Sequence, residues 1–179
     1  MSFNRHIIKD LIDWRRSPHR KPLILRGARQ VGKTTLVQLF AKEFSHFVSI
    51  NLERPQHQKY FTSYDDAKQI TEALLLDFNI PFSELNRTLL FIDEIQESPK
   101  AIALLRYFYE DLPHLAVISA GSLLEFTLRN VQHFPVGRVQ YLYLSPMNFD
   151  EFLQAIGQTE ALKALRTLPV SQTAHSTLL

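Results

Sequence analysis

The sequence predicts an α/β fold built around a parallel β-sheet. Short apolar runs alternate along the chain with stretches whose apolar residues recur at helical spacing, which is the pattern of strands joined by crossover helices. One run, residues 88–92, contains no charge, as expected for a central strand that is covered on both faces. A glycine-rich segment, residues 27–34, lies between the first apolar run and the helical pattern that follows it.

The glycine-rich segment matches the P-loop pattern G-x-x-x-x-G-K-[ST] at every position. It consists of Gly27, Ala28, Arg29, Gln30, Val31, Gly32, Lys33 and Thr34. An apolar run at 23–25 precedes it, and apolar residues at helical spacing follow it from Leu36 to Phe44. A strand that turns into a helix N-terminus in this way directs backbone N–H groups and the positive end of the helix dipole at one point. The segment therefore predicts a phosphate-binding site.

Each distinctive residue of this segment has a predicted role in binding ATP and Mg²⁺. The two glycines supply backbone conformations that are closed to residues with a Cβ. Lys33 reaches the β- and γ-phosphates, and the Thr34 hydroxyl ligates Mg²⁺. Thr35 is either a further phosphate contact or an ordinary residue of the helix start.

Composition sets limits on the class of protein. A chain of 179 residues with 45% apolar residues can form one domain with a proper core. No apolar run approaches the ~20 residues of a membrane span, and the N-terminus lacks a signal-peptide core. The absence of cysteine suits a cytoplasmic protein. A formal charge of +2 gives little support to DNA binding, and the seven histidines show no metal-ligand spacing.

The elements before the third strand are predicted from hydrophobic periodicity and from the residues that cap or end each element. Residues 3–16 are predicted as an amphipathic helix that ends at Ser17-Pro18. A second strand is predicted at 47–52, whereas residues 55–62 are ambiguous. We predict a helix from Ala67 to Phe78, begun by Ser63-x-x-Asp66 read as a capping box.

The elements of the second half are predicted in the same way. Ser98-Pro99 begins a helix, with serine as cap and proline at the first position. Apolar runs predict a fourth strand at 115–120 and a fifth at 139–144, with an irregular stretch at 130–138 between them. Two further helices are predicted, one capped by Asn148-x-x-Glu151 and one over 158–167.

Two carboxylates follow the third strand directly. Asp93 and Glu94 stand at the C-terminal end of an apolar run, where open α/β sheets bind their ligands. Asp93 is placed to hold Mg²⁺, and Glu94 to polarise the water that attacks the γ-phosphate. The alternative is a pair of solvated loop carboxylates. Gln96 is a further candidate for orienting polar groups nearby.

The end of the fourth strand supplies a candidate polar group. A hydroxyl at this tip would face the γ-phosphate and the attacking water, and Ser122 is the first choice. Ser119 is the second choice. Its alternative role is to make a hydrogen bond within the strand. Ser122 could also cap a helix over 123–129, and both roles are compatible.

Four motifs together resemble one family. They are Gly27–Thr34, Phe91-Ile92-Asp93-Glu94, Ala120-Gly121-Ser122-Leu123-Leu124-Glu125 and Pro135-Val136-Gly137-Arg138-Val139. From about Arg5 to about Leu153 the chain is similar to the AAA+-like ATPase domain of bacterial and archaeal ATPases that carry an uncharacterised C-terminal domain. The first two motifs are general to P-loop ATPases. The last two, with residues 144–152, are more specific to this family.

The resemblance implies a three-layer α/β/α fold with a parallel sheet in the order 5-1-4-3-2. It implies that Lys33 and Thr34 are Walker A residues, Asp93 and Glu94 are Walker B residues, and Ser122 is a sensor. It places Arg138 near the position of the arginine finger, with pairing to a carboxylate as the alternative. We place Arg138 on the nucleotide-binding side, where it would reach a neighbouring subunit. No lid-domain sensor arginine can be identified here.

The predicted function is a cytoplasmic, Mg²⁺-dependent ATPase of the AAA+-like class. The expected domain spans 1–156, and 157–179 would begin a following helical region. A homo-oligomer is an option for a longer protein, and DNA binding stays open. The alternatives are a nucleotide-dependent switch or a DNA-associated regulatory ATPase, both with little turnover. A small-molecule kinase is less favoured because adjacent Asp93 and Glu94 suit water as the acceptor.

Overall fold

A five-stranded sheet forms the centre of the computed structural model, which describes residues 5–122 and 135–167. The strands are β1 (Leu23–Arg26), β2 (His46–Asn51), β3 (Thr88–Asp93), β4 (Ala116–Ala120) and β5 (Gln140–Tyr143). Every pairing is parallel and the order is β2-β3-β4-β1-β5. The predicted α/β fold and the sheet order implied by the resemblance are confirmed.

Seven helices are described around this sheet. They are α1 (Ile8–Arg16), α2 (Lys33–Phe40), α3 (Pro55–Ser63), α4 (Ala67–Asp77), α5 (Pro99–Asp111), α6 (Phe149–Ala155) and α7 (Thr159–Thr167). Short 3₁₀ turns occupy Ala41–Glu43, Phe82–Arg87 and Ile95–Glu97. Among the described residues, no helix is both long enough and apolar enough to cross a membrane.

The two faces of the sheet pack into two separate cores. Successive side chains of a strand point to opposite faces, so Leu90 and Ile92 join one core while Leu89 and Phe91 join the other. The first core is closed by α3, α4 and α5, and the second by α1 and α2. All six residues of β3 are buried, because this strand has neighbours in the sheet on both sides and helices on both faces.

The first predicted helix begins later than its apolar stripe indicates. The helix α1 starts at Ile8, and its predicted start at residue 3 lies outside the described residues. Arg5 precedes the helix, where its guanidinium donates to the backbone carbonyls of Val31 and Ser145. This tertiary anchor is absent from the local pattern, so the helical period alone placed the start too early.

The predicted capping box before α4 is wrong. Ser63 is the last residue of α3, which fills the stretch that the sequence left ambiguous. Asp66 is itself the N-cap, and its carboxylate accepts from the backbone N–H of Lys68. This short polar stretch offers two candidate N-caps, Ser63 and Asp66. Asp66 is the cap because Ser63 belongs to α3, and that assignment depends on the fold of residues 55–63.

The other two predicted caps are correct. The Ser98 hydroxyl accepts from the backbone N–H of Ala101 at the start of α5. At α6 the capping box is complete, with reciprocal side-chain to backbone bonds between Asn148 and Glu151. The helix considered for 123–129 lies outside the described residues.

Candidate functional site

The predicted site residues converge because parallel strands all end at one edge of the sheet. Leu25 of β1 pairs with Ala120 of β4, and Asn51 of β2 pairs with Asp93 of β3. The segments that follow these strands therefore meet above the same edge. This edge carries the P-loop after β1, Glu94 after β3 and Ser122 after β4.

The P-loop backbone needs its glycines for two different reasons. At Gly27, with φ +148°, a Cβ would lie 2.3 Å from the carbonyl oxygen of Leu144, which follows β5. Gly32 has open space around it but adopts φ +92°, in the left-handed region. Gln30 also adopts a left-handed conformation, with φ 63°, although it carries a side chain. The loop thus follows a path that ordinary residues resist.

Lys33, the first residue of α2, folds back into this loop. Its buried ammonium donates to the carbonyl oxygens of Gly27 at 2.9 Å and Ala28 at 2.8 Å. Burial lowers the pKa of Lys33, while the charges of Glu94 and Asp93 raise it and Arg29 lowers it further. The two hydrogen bonds hold the ammonium against the loop, where the charges of Glu94 and Asp93 act on it.

Thr34 and Asp93 join the P-loop to the end of β3. The Thr34 hydroxyl donates to Oδ2 of Asp93 at 2.8 Å, and the backbone N–H of Glu94 donates to Oδ1 at 3.1 Å. Burial raises the pKa of Asp93, and the hydrogen bond from Thr34 opposes this shift. A hydroxyl and a carboxylate in contact form an oxygen pair of the kind that Mg²⁺ prefers.

The protein supplies few further metal ligands at this point. Among residues 5–122 and 135–167, no group of three or more His, Cys, Asp and Glu side chains could hold a metal ion. Mg²⁺ commonly takes only one or two protein ligands and completes its shell with phosphate oxygens and water. Thr34 and Asp93 therefore fit a metal that arrives with a nucleotide.

Glu94 is oriented by its own backbone and by a neighbour. Its φ of 51° is left-handed, which redirects the chain directly after β3. The Gln96 side-chain amide donates to Oε2 of Glu94 at 2.6 Å. Oε1 of Gln96 is buried and accepts from none of the described residues. The carboxylate is thus fixed at one oxygen.

One cleft contains most of the predicted residues. The cavity has a volume of ≈ 590 Å³ and is lined by Arg29, Gln30, Gly32, Lys33, Thr34, Thr35, Glu53, Glu94 and Ser122. Asp93 adjoins it through Thr34. Sequence reasoning missed Glu53, which stands two residues beyond β2 and has no motif of its own.

The two candidate serines occupy different environments. Ser122 is buried at the cleft, and its Oγ accepts from Nε of Arg29 at 3.3 Å. Ser119 lies inside β4 and donates to the backbone carbonyl of Leu23 at 3.3 Å. Only Ser122 lines the cleft, so Ser119 matches its alternative role within the strand.

The predicted placement of Arg138 on the nucleotide-binding side is wrong. Arg138 precedes β5, and Gln140 at the start of that strand pairs with Leu23 at the start of β1. Because the strands are parallel, Arg138 lies at the edge opposite the P-loop. Its Nε donates to Oε1 of Glu110 at 2.8 Å, which is the alternative contact with a carboxylate.

A second cavity of ≈ 410 Å³ adjoins the other side of the P-loop. Its lining is mostly apolar and consists of Arg5, Arg29, Gln30, Val31, Gly32, Thr35, Leu36, Leu39, Pro146 and Met147. Arg5 is buried and pairs with Glu151 at 3.1 Å. Sequence reasoning identified Glu151 as a cap but missed Arg5, because no local pattern indicates a contact 146 residues away along the chain.

Comparisons with known proteins agree with this architecture. Residues 19–153 match the family described as AAA domain. A Walker-type ATPase of Pyrococcus abyssi superposes with a TM-score of 0.56 and 20% identity, over 94% of this chain and 60% of that one. The structure of Drosophila ORC bound to DNA superposes with a TM-score of 0.55 and 16% identity, over 88% of this chain and 50% of that one.

At these identities the two structures show a shared fold, and the chain spans only 50–60% of their length. No curated protein matches the sequence.

Proposed function

The chain belongs to the AAA domain family, and from that premise we propose that it is a Mg²⁺-dependent ATPase. The observation that carries the proposal is the 2.8 Å hydrogen bond between Thr34 and Asp93. It joins the P-loop to the end of β3, so that phosphate-binding groups and the Glu94 carboxylate face one cleft.

Two adjoining cavities fit the two ends of ATP. The cleft with Lys33 and Thr34 suits the phosphates, because it collects the backbone of the P-loop and the N-terminus of α2. The more apolar cavity beside Leu39 and Met147 suits the base and sugar. The two cavities share Arg29, Gln30, Gly32 and Thr35, so a single molecule could extend across the loop.

Thr34 and Asp93 are the residues that would hold Mg²⁺. When bound, the ion neutralises charge on the β- and γ-phosphates and orients them for in-line attack. Lys33 adds a second positive charge beside the same phosphates.

Glu94 is the group that would accept a proton from the attacking water. Its carboxylate lines the cleft, and Gln96 restrains only one of its oxygens, which leaves the other to act. Phosphoryl transfer requires little covalent chemistry from the protein, so positioning and charge stabilisation supply most of the rate acceleration.

Two variants test this assignment. Glu94→Gln should bind ATP with unchanged affinity yet lose turnover by a factor of about 10²–10⁴, the usual contribution of a general base. Lys33→Ala should instead weaken ATP binding while the fold persists, since its ammonium contacts the loop and not the apolar core. Calorimetric titration with ATP and Mg²⁺, and phosphate release, separate the two effects. Turnover of Glu94→Gln at the parent rate would show that another group is the base.

The same assay separates hydrolysis from the principal alternative. A nucleotide-dependent switch, or a DNA-associated regulatory ATPase with little turnover, would bind ATP and release almost no phosphate. Addition of duplex DNA distinguishes these two, because only the second would respond to it.

A further inference from the structure

The cleft contains a second positive charge besides Lys33. Of the described residues that line it, Arg29 and Lys33 are the two cations. Lys33 already donates to two loop carbonyls. Arg29 makes no ion pair with a carboxylate among the described residues, and the hydrogen bond that it makes there is to Ser122. Its guanidinium therefore retains most of its five donors for a ligand.

The structure anchors this side chain at the cleft, although Arg29 also lines the more apolar cavity. Arg29 sits within the P-loop, and its Nε is anchored on the Oγ of buried Ser122 at the end of β4. The next residue, Gln30, adopts a left-handed backbone, with φ 63°, which is strained for a residue with a side chain. Such strained positions cluster at functional sites, where the surrounding structure maintains them.

We propose that Arg29 acts within its own chain as the arginine that stabilises the transferring γ-phosphoryl group, with Ser122 as its positioning residue. This role rests on the proposed ATPase function and adds a residue to it. Arginine suits the role because its planar fork stays charged and can contact two oxygens at once.

The reaction gives this charge a defined task. Water bonds to the γ-phosphorus as the bond from that phosphorus to the bridging oxygen breaks, and Glu94 receives the water proton. The products are ADP and inorganic phosphate. Negative charge is spread over the equatorial phosphoryl oxygens during transfer, and a guanidinium beside them lowers the barrier.

The proposal differs from an arginine supplied by a neighbouring subunit. Arg138 lies at the opposite edge of the sheet and could act only on another chain. Arg29 lies in the loop that binds the phosphates, so each chain would carry its own arginine.

The test compares Arg29→Ala and Arg29→Gln with Arg87→Ala. Arg87 is an exposed arginine before β3, at the opposite edge. Phosphate release should fall about 10³-fold or more in both Arg29 variants, the lower range for an arginine of this kind, and should not change in Arg87→Ala. Calorimetric affinity for Mg²⁺ and ADP should change less than about threefold, because the contact belongs to the transition state. The glutamine variant keeps part of the aliphatic stem and a neutral hydrogen-bond donor if the alanine variant fails to fold.

Binding of a transition-state analogue distinguishes a catalytic role of Arg29 from a structural one. The parent protein should trap ADP with aluminium fluoride, whereas the Arg29 variants should bind ADP and fail to trap it. A further arm mixes Arg29→Ala with Lys33→Ala in equal amounts. Because both residues act within one chain, mixing should restore no turnover.

Three results would overturn the proposal. They are parent-rate turnover in both Arg29 variants, equal loss of ADP and ATP affinity, and recovery of turnover on mixing. A parent protein that neither binds nor hydrolyses ATP would overturn the proposed function as well. A parent that hydrolyses ATP beside equally active Arg29 variants would overturn this inference alone.

Discussion

At the scale of single residues, the site depends on a few contacts that position otherwise ordinary groups. Gly27 is required because the carbonyl of Leu144 occupies the space of a Cβ, whereas Gly32 is required by its backbone angle alone. Glu94 combines a left-handed backbone with a bond from Gln96. The carboxylate thus reaches the cleft in a definite orientation.

Gln96 should control turnover without controlling binding. Gln96→Ala removes the 2.6 Å hydrogen bond to Glu94, so the carboxylate loses its fixed orientation. We expect kcat to fall by about 10-fold with KM nearly unchanged, because misplacing a catalytic group affects the transition state more than substrate binding. Steady-state phosphate release measures both constants.

Gln38→Ala provides the matched control for this change. Gln38 is an exposed glutamine on α2, and its removal should leave both constants at their parent values. An unchanged kcat in Gln96→Ala would show that Glu94 is oriented by its backbone alone.

At the scale of elements, the N-terminus of α6 is tied to the segment before α1. Glu151 caps α6 through Asn148, accepts from the backbone N–H of His6 and pairs with Arg5. Arg5 in turn donates to Val31 in the P-loop. One buried carboxylate thereby connects the segment before α1 and the end of the matched region to the loop between the two cavities.

Glu151→Gln should destabilise the fold, and the effect should depend on pH. Glutamine can still complete a capping box but cannot pair with the Arg5 charge. Burial alone would raise the pKa of Glu151, but hydrogen bonds from His6 and Asn148 together with the Arg5 charge hold it below its ordinary 4.5. At pH 7 we expect a loss of about 3 kcal/mol, the lower range for breaking a buried pair.

The sign of the pH dependence follows from the lowered pKa. The ionised form stabilises the folded state fully above about pH 4.5, and this contribution is lost as the pH falls through the lower pKa of the folded protein. Urea unfolding of parent and variant should therefore differ equally at pH 7 and pH 5, and the two should converge at lower pH. A constant difference below pH 4 would contradict this account. Glu160→Gln, at an exposed pair in α7, is the control.

At the scale of the whole molecule, the two edges of the parallel sheet carry different groups of functional candidates. The edge where the strands end carries the P-loop, Glu94 and Ser122. The edge where they begin carries Arg138, paired with Glu110. A role of Arg138 as an arginine finger stays a prediction, and the topology requires that it act between chains.

Mixing of variants tests that role in the assembled protein. If Arg138 serves a neighbour, Arg138→Ala should bind ATP but not turn it over, and adding Lys33→Ala chains should restore part of the phosphate release. Arg106→Ala is the matched control, since Arg106 pairs with the same Glu110. Normal hydrolysis by Arg138→Ala in the assembly would show that Arg138 has only a structural role, through its ion pair with Glu110.

Local signals were enough to predict the P-loop and most of the elements, although they left α3 ambiguous. Apolar runs located the five strands, and Ser98 and Asn148 marked helix starts, because caps act within one turn of the chain. The spacing of Gly27, Gly32, Lys33 and Thr34 indicated a phosphate site, since the backbone of a strand–turn–helix forms that site by itself. The resemblance to a family supplied the sheet order.

Only the tertiary structure decided which distant groups meet. The pairing of Arg5 with Glu151 and of Arg29 with Ser122 joins residues far apart in sequence, and no periodicity encodes such contacts. Arg138 directly precedes β5, so in a parallel sheet it belongs at the edge where the strands begin, and its predicted placement overlooked this. Local sequence determines backbone conformation and caps, whereas the orientation of charged side chains depends on packing between elements, so these contacts emerged only from the assembled sheet.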